Sequence, residues 1–150
     1  MVKALVVYYS MFGNTEKVAK ALGEGLRSSG AEDDIVRVDA VKTEDLGNID
    51  LLCVGSPVQA WNVAKPVQEF LERLKNVKGL EGKKAFAFDT KIKSRLAGTA
   101  GGKIEKKLKD VGFTIVKPAE SAVVRGREGP LEEGSEERFK QLGAELTKII

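Results

Sequence analysis

Val6-Val7-Tyr8-Tyr9-Ser10-Met11-Phe12-Gly13-Asn14-Thr15 carries the turn on which the fold depends. Its apolar start reads as a buried strand, and beyond Thr15 the residues Val18, Leu22 and Leu26 recur at helical spacing. The turn between them therefore lies where a strand ends and a helix begins. The first N–H groups of a helix have no partner within it and sit at the positive end of its dipole, so such a turn holds a phosphate without a lysine. Ser10 and Thr15 supply hydroxyls, Asn14 an amide, and Gly13 lets the backbone approach an anion, with Met11 and Phe12 completing the loop. No Gly-Lys-Ser/Thr follows, which excludes a Walker loop, and the glycines of a dinucleotide fingerprint are missing. The bland alternative is a plain turn in which Asn14 or Thr15 caps the helix.

Outward from this turn, strands and helices alternate. Ile35-Val36-Arg37-Val38 reads as an edge strand, while Leu51-Leu52-Cys53-Val54 and Ala85-Phe86-Ala87-Phe88 are apolar runs of the kind covered on both faces. Phe113-Thr114-Ile115-Val116 is the last strand, continued after Pro118 by Ala122-Val123-Val124. Helical stripes follow at Val67, Phe70, Leu71 and Leu74 behind Pro66, and at Ile104, Leu108 and Val111 before Gly112. The final stripe is Phe139, Leu142, Leu146 and Ile149, with Ser135 as expected N-cap and Glu136 and Glu137 in the first turn. Val41 to Asn48 reads as a turn of helix or a loop. This alternation predicts an α/β domain with a parallel sheet and helices on both faces. Ligands of such sheets bind beyond the carboxyl ends of the strands, which directs attention to the loops after the first, third and fourth strands.

Composition narrows the function. At 150 residues the chain is expected to form one domain, residues 1–150, burying about 68–70% of its unfolded surface. The absence of histidine excludes imidazole catalysis and histidine-bound zinc, and one cysteine excludes a disulfide framework. Cys53 lies in an apolar run and reads as a buried structural thiol. The net charge of +3 is mild and its residues are interspersed, unlike the clustered basic face of a nucleic-acid binder. The apolar run from Ala4 to Tyr9 is too short to span a membrane and lacks the form of a secretion signal, so the expected location is cytoplasmic.

The second loop is read as Gly55-Ser56-Pro57-Val58-Gln59-Ala60-Trp61-Asn62-Val63-Ala64-Lys65-Pro66. Trp61 is the sole tryptophan and lies outside any periodic stripe, where it can stack on a planar ligand or else cover the core. Asn62 tolerates positive φ, which would place a reorientable peptide at Asn62–Val63. The third loop is read from Asp89, Thr90 and Lys91 through Gly98 to Gly101-Gly102, long and glycine-rich enough to cover a ligand or to be plain solvated surface.

Together the three loops resemble the flavodoxin family. Val6, Val7 and Tyr8 precede Ser10, and Gly13, Thr15, Ala19 and Leu22 follow at the family's intervals. The opening Tyr8 to Thr15 is also similar to the start of flavodoxin-like NAD(P)H:quinone oxidoreductases, and Trp61-Asn62-Val63 to the Trp-Asn-Ile/Val of electron-transfer flavodoxins. The resemblance implies a three-layer, doubly wound, five-stranded parallel sheet of order 2-1-3-4-5. It implies FMN as cofactor, with the phosphate on Ser10, Met11, Phe12, Gly13, Asn14 and Thr15. Ser56, Pro57, Val58, Gln59, Trp61 and Asn62 would line one side of the isoalloxazine, Trp61 stacked on it. Asp89, Thr90 and Lys91 would meet its pyrimidine edge or other face. No catalytic side chain and no metal is implied, since the flavin supplies the redox chemistry. A redox partner protein is expected, with no nucleic acid and no membrane. Three departures stand out: Phe12 replaces a hydroxyl, no aromatic lies between Asp89 and Gly102, and the chain is basic where classical flavodoxins are acidic. A cation of Lys91, Lys93 or Arg95 within about 8–10 Å of the flavin would favour its anionic reduced form. The competing readings are a quinone oxidoreductase of this fold and a cofactor-free interaction module. The positions where a response regulator needs acidic residues read Tyr9-Ser10 and Gly55-Ser56, which argues against phosphoacceptor chemistry.

Overall fold

The computed structural model describes residues 2–94 and 98–150. Its first half runs β1 (Lys3–Tyr8), α1 (Asn14–Ser28), β2 (Glu32–Arg37), β3 (Leu51–Gln59), β4 (Asn62–Val63) and α2 (Lys65–Leu74). Then follow β5 (Lys84–Ile92), α3 (Gly101–Val111), β6 (Thr114–Ile115), β7 (Glu120–Val124) and α4 (Ser135–Ile149). Short 3-10 turns at Val38–Ala40 and Thr43–Asn48 occupy the stretch after β2.

The parallel sheet is ordered β2-β1-β3-β5-β6, with β7 also paired to β5. β6 pairs with Lys84 and Ala85, and β7 with Phe88 through Ile92, so two short strands share the fifth position and the order is the expected 2-1-3-4-5. Pro118, which has no N–H to give a ladder, lies in the gap between them.

Alternation along the strands divides the apolar residues between two layers. Val6, Tyr8, Leu51, Cys53, Phe86 and Phe88 face Val18, Leu22 and Leu26 of α1 and Phe139, Leu142 and Leu146 of α4. Leu5, Val7, Leu52, Val54, Ala85 and Ala87 face Val67, Phe70, Leu71 and Leu74 of α2 and Ile104 and Leu108 of α3. Each fully buried Leu or Phe contributes roughly 1.5–3 kcal/mol relative to exposure. The backbones of α1 and α4 touch: a methyl group at Gly25 would collide with the Lys140 carbonyl, and one at Gly143 with the Leu22 carbonyl.

Several boundaries differ from those read in the sequence. β2 begins at Glu32 and ends at Arg37, because Val38 turns into the first 3-10 segment. β3 and β5 run past the expected ends at Val54 and Phe88, to Gln59 and Ile92. Ser135 is not the N-cap of α4. Gly134, at φ 86, takes that position, and the Ser135 hydroxyl donates back to the Glu132 carbonyl at 2.7 Å.

Candidate functional site

β1 delivers the chain into the first turn at Ser10, and Gly13 adopts φ 91, a left-handed conformation that side chains resist. The Gly13 N–H donates to Ser10 Oγ at 3.0 Å, which leaves the Ser10 hydroxyl proton to be given elsewhere. α1 starts at Asn14 with no side-chain cap. The capping roles considered for Asn14 and Thr15 are therefore not taken. Asn14 Nδ2 donates instead to the Glu128 carbonyl at 3.1 Å, and the Thr15 and Thr90 hydroxyls share a 2.7 Å bond. The leading N–H groups of α1 remain open at the head of the helix.

The second loop is a β-hairpin rather than a loop. β3 continues through Ser56, Pro57, Val58 and Gln59, and pairs with β4 through Val58–Val63 and Gln59–Asn62. Ala60 and Trp61 form the two-residue turn, with φ 48 and 64, the pattern of a type I′ connection. The positive φ expected at Asn62 thus falls on the two residues before it, and Asn62 Oδ1 accepts its neighbour Val63 N–H at 2.8 Å. Lys103 Nζ, from the first turn of α3, donates to the Trp61 carbonyl at 2.9 Å. Trp61 is 64% exposed, so it does not cover the core. Ser56 is buried, accepting the Ala64 N–H at 2.9 Å and donating to the Pro57 carbonyl at 2.8 Å.

Asp89, Thr90 and Lys91 belong to β5 and not to a loop. Asp89 is fully buried, and its Oδ2 accepts the Thr99 hydroxyl at 2.9 Å and the N–H groups of Ala100 and Gly101 at 3.0 and 2.8 Å. A carboxylate there satisfies the head of α3 and complements its dipole. Lys93 is exposed, and Arg95 lies outside the described residues.

These elements enclose a cleft of about 690 Å³ at the carboxyl edge of the sheet. Of the residues singled out in the sequence, Ser10, Met11, Phe12, Asn14, Thr15, Pro57, Val58, Gln59, Trp61, Thr90 and Lys91 line it. Gly13, Ser56, Asn62 and Asp89 are not among the lining residues. Ala60 of the second loop and Ile92 and Ser94 of the third also line the cleft, as do Val124 and Arg127, which were not anticipated as site residues. Their only sequence signal is position, each lying at or just beyond the carboxyl end of a strand. Among the described residues, Lys91 and Arg127 are the charged side chains of the lining, and no carboxylate is among them. Met11, Phe12, Trp61 and Ile92 are large apolar side chains left exposed at its mouth.

The model of the flavodoxin family matches residues 6–142. The chain belongs to the flavodoxin family. Its cofactor is FMN. An archaeal flavodoxin superposes with a TM-score of 0.83 at 25% identity, covering 98% of this chain and 97% of that one. An NAD(P)H dehydrogenase (quinone) from Caulobacter vibrioides is 35% identical over 111 residues, covering 59% of this chain and 56% of the relative. A protein of Methanocaldococcus jannaschii described as uncharacterized is 31% identical over 150 residues, covering 97% of this chain and 37% of its own length. The chain thus spans little more than half, or less, of these two curated relatives. In this chain the donor set fits the cofactor: hydroxyls, an amide and open helix N–H groups suit a phosphate, and the indole, Pro57, Val58 and Ile92 suit a flat apolar ring. The cleft sits where the sheet order reverses between β1 and β3, and flavodoxins are themselves a standing example of that placement.

Proposed function

We propose that this flavodoxin is an FMN-dependent electron carrier serving a protein redox partner in the cytoplasm. The observation that carries the reading is the cleft itself, with phosphate donors at one end, apolar walls along it, and Met11, Phe12, Trp61 and Ile92 exposed at its mouth. A cofactor seated there supplies one- and two-electron chemistry, and an open mouth leaves it accessible to another protein. In this reading Ser10, Asn14, Thr15 and the turn N–H groups hold the phosphate. Pro57, Val58, Gln59 and Trp61 form one wall, and Thr90 and Lys91 face them. Ser56, Asn62 and Asp89 act indirectly, fixing the hairpin and the head of α3. Among the described residues no helix is long and apolar enough to cross a membrane.

The second reading, a quinone reductase, is favoured by the 35% identity to the Caulobacter vibrioides relative. Purified protein loaded with FMN separates the two. The carrier is expected to show a flavin spectrum and to exchange electrons with a flavoprotein reductase and an acceptor protein, without sustained NAD(P)H oxidation by a quinone. Steady NAD(P)H–quinone turnover would reverse the assignment, and a colourless protein that takes up no FMN would leave the interaction module.

A further inference from the structure

We propose that Arg127 is a phosphate anchor that makes this cleft select a phosphorylated flavin over the same ring without a phosphate. The inference rests on the FMN reading above and concerns a segment to which that reading gives no task. β7 ends at Val124, and the chain beyond it folds back against the first turn. Asn14 Nδ2 donates to the Glu128 carbonyl at 3.1 Å, and a methyl group at Gly129 would lie 2.8 Å from Asn14 Oδ1. The segment is therefore seated directly on a residue of the phosphate loop. Just before these contacts, Arg127 enters the lining of the same cleft as Ser10, Asn14 and Thr15. Its guanidinium carbon lies 6.0 Å from the centroid of the Phe12 ring.

The Phe12 side chain offers a phosphate no donor, but its ring is a shelf on which a guanidinium rests. Among the described residues Arg127 has no ion pair, and no carboxylate lines the cleft to compete for it. The remaining donors at this end of the cleft are neutral, and a phosphate brings nearly two negative charges. An arginine fork matches phosphate oxygens in pairs, which a lysine ammonium does not. Arg127 is exposed, so its effect is partly screened and falls with ionic strength.

The test titrates apoprotein with FMN and with riboflavin, which lacks the phosphate, following quenching of Trp61 fluorescence at low and high sodium chloride. In the unaltered protein FMN affinity should fall with salt while riboflavin affinity holds, a comparison independent of any variant. Arg127→Gln should lose roughly two- to fivefold in FMN affinity at low salt, keep its riboflavin affinity, and flatten the salt dependence. Arg127→Lys should recover part of the loss. Unchanged FMN affinity in Arg127→Gln, or parallel weakening of both flavins, would overturn the proposal, the latter by making Arg127 a packing partner of Phe12. An unaltered apoprotein that binds neither flavin would overturn the FMN reading, and this inference with it.

Discussion

Ala60 and Trp61 hold left-handed backbone angles that cost an L-residue about 1–2 kcal/mol each. The β3–β4 pairing and the Lys103 ammonium keep them there. Ala60→Gly removes the penalty at one position but widens the unfolded ensemble, so stability should rise by about 0.5–1 kcal/mol in denaturant unfolding. A drop would mean that the alanine methyl packs usefully at the lip of the cleft. Lys91 is the cation of β5 that lines the cleft. A unit charge at about 8–10 Å is worth roughly 10–40 mV on a two-electron couple, so Lys91→Gln should lower the FMN midpoint potential by that order at low salt, and by less at high salt. An unchanged potential would remove Lys91 from the flavin's electrostatic surroundings.

At the scale of elements, the contact between α1 and α4 is the least forgiving join. Gly143→Ala drives a methyl into the Leu22 carbonyl, and overpacking of this kind should cost about 1–3 kcal/mol, read as a lower Tm. Little of that join was legible beforehand, since a glycine in a helical stripe looks merely tolerated until the opposing backbone is seen. The long stripes of α1 and α4 and the apolar cores of β3 and β5 were legible, because burial on a regular period leaves a direct mark. The ends of those strands were not. Ser56 to Gln59 and Asp89 to Lys91 are polar or half-buried, and they read as loops because only pairing with a neighbour makes them strands. Asp89 was read at the start of a ligand-covering loop, and it lies within β5. Its carboxylate serves the head of α3, a helix whose start lies beyond a glycine-rich stretch that carries no periodic signal.

Across the whole molecule, the sheet separates two apolar layers, and Cys53 lies sealed between the sheet and the α1–α4 layer. Burial pushes its thiol well above the ordinary cysteine range. The unfolded chain ionises first, so the stability this thiol contributes is complete below about pH 8.5 and is lost as pH rises beyond it. At pH 8 a thiol reagent should label the protein only at the rate of global unfolding, and rapid labelling of the native state would show the layer to be breached. The order of the sheet was legible through resemblance, and the strand, turn and helix around Ser10 to Thr15 through their own residues. Arg127 was not, because nothing in a lone arginine after a strand announces which turn it will lie against. The clasps that complete the cleft join residues far apart along the chain: Thr15 to Thr90 across 75 positions, and Asn14 to Glu128 across 114. Asn14 is synthesised long before Glu128, so the turn it belongs to stays unclasped until the segment beyond β7 has been made and folded back. The shape of the cleft thus reports that distant stretches of this one polypeptide have found each other.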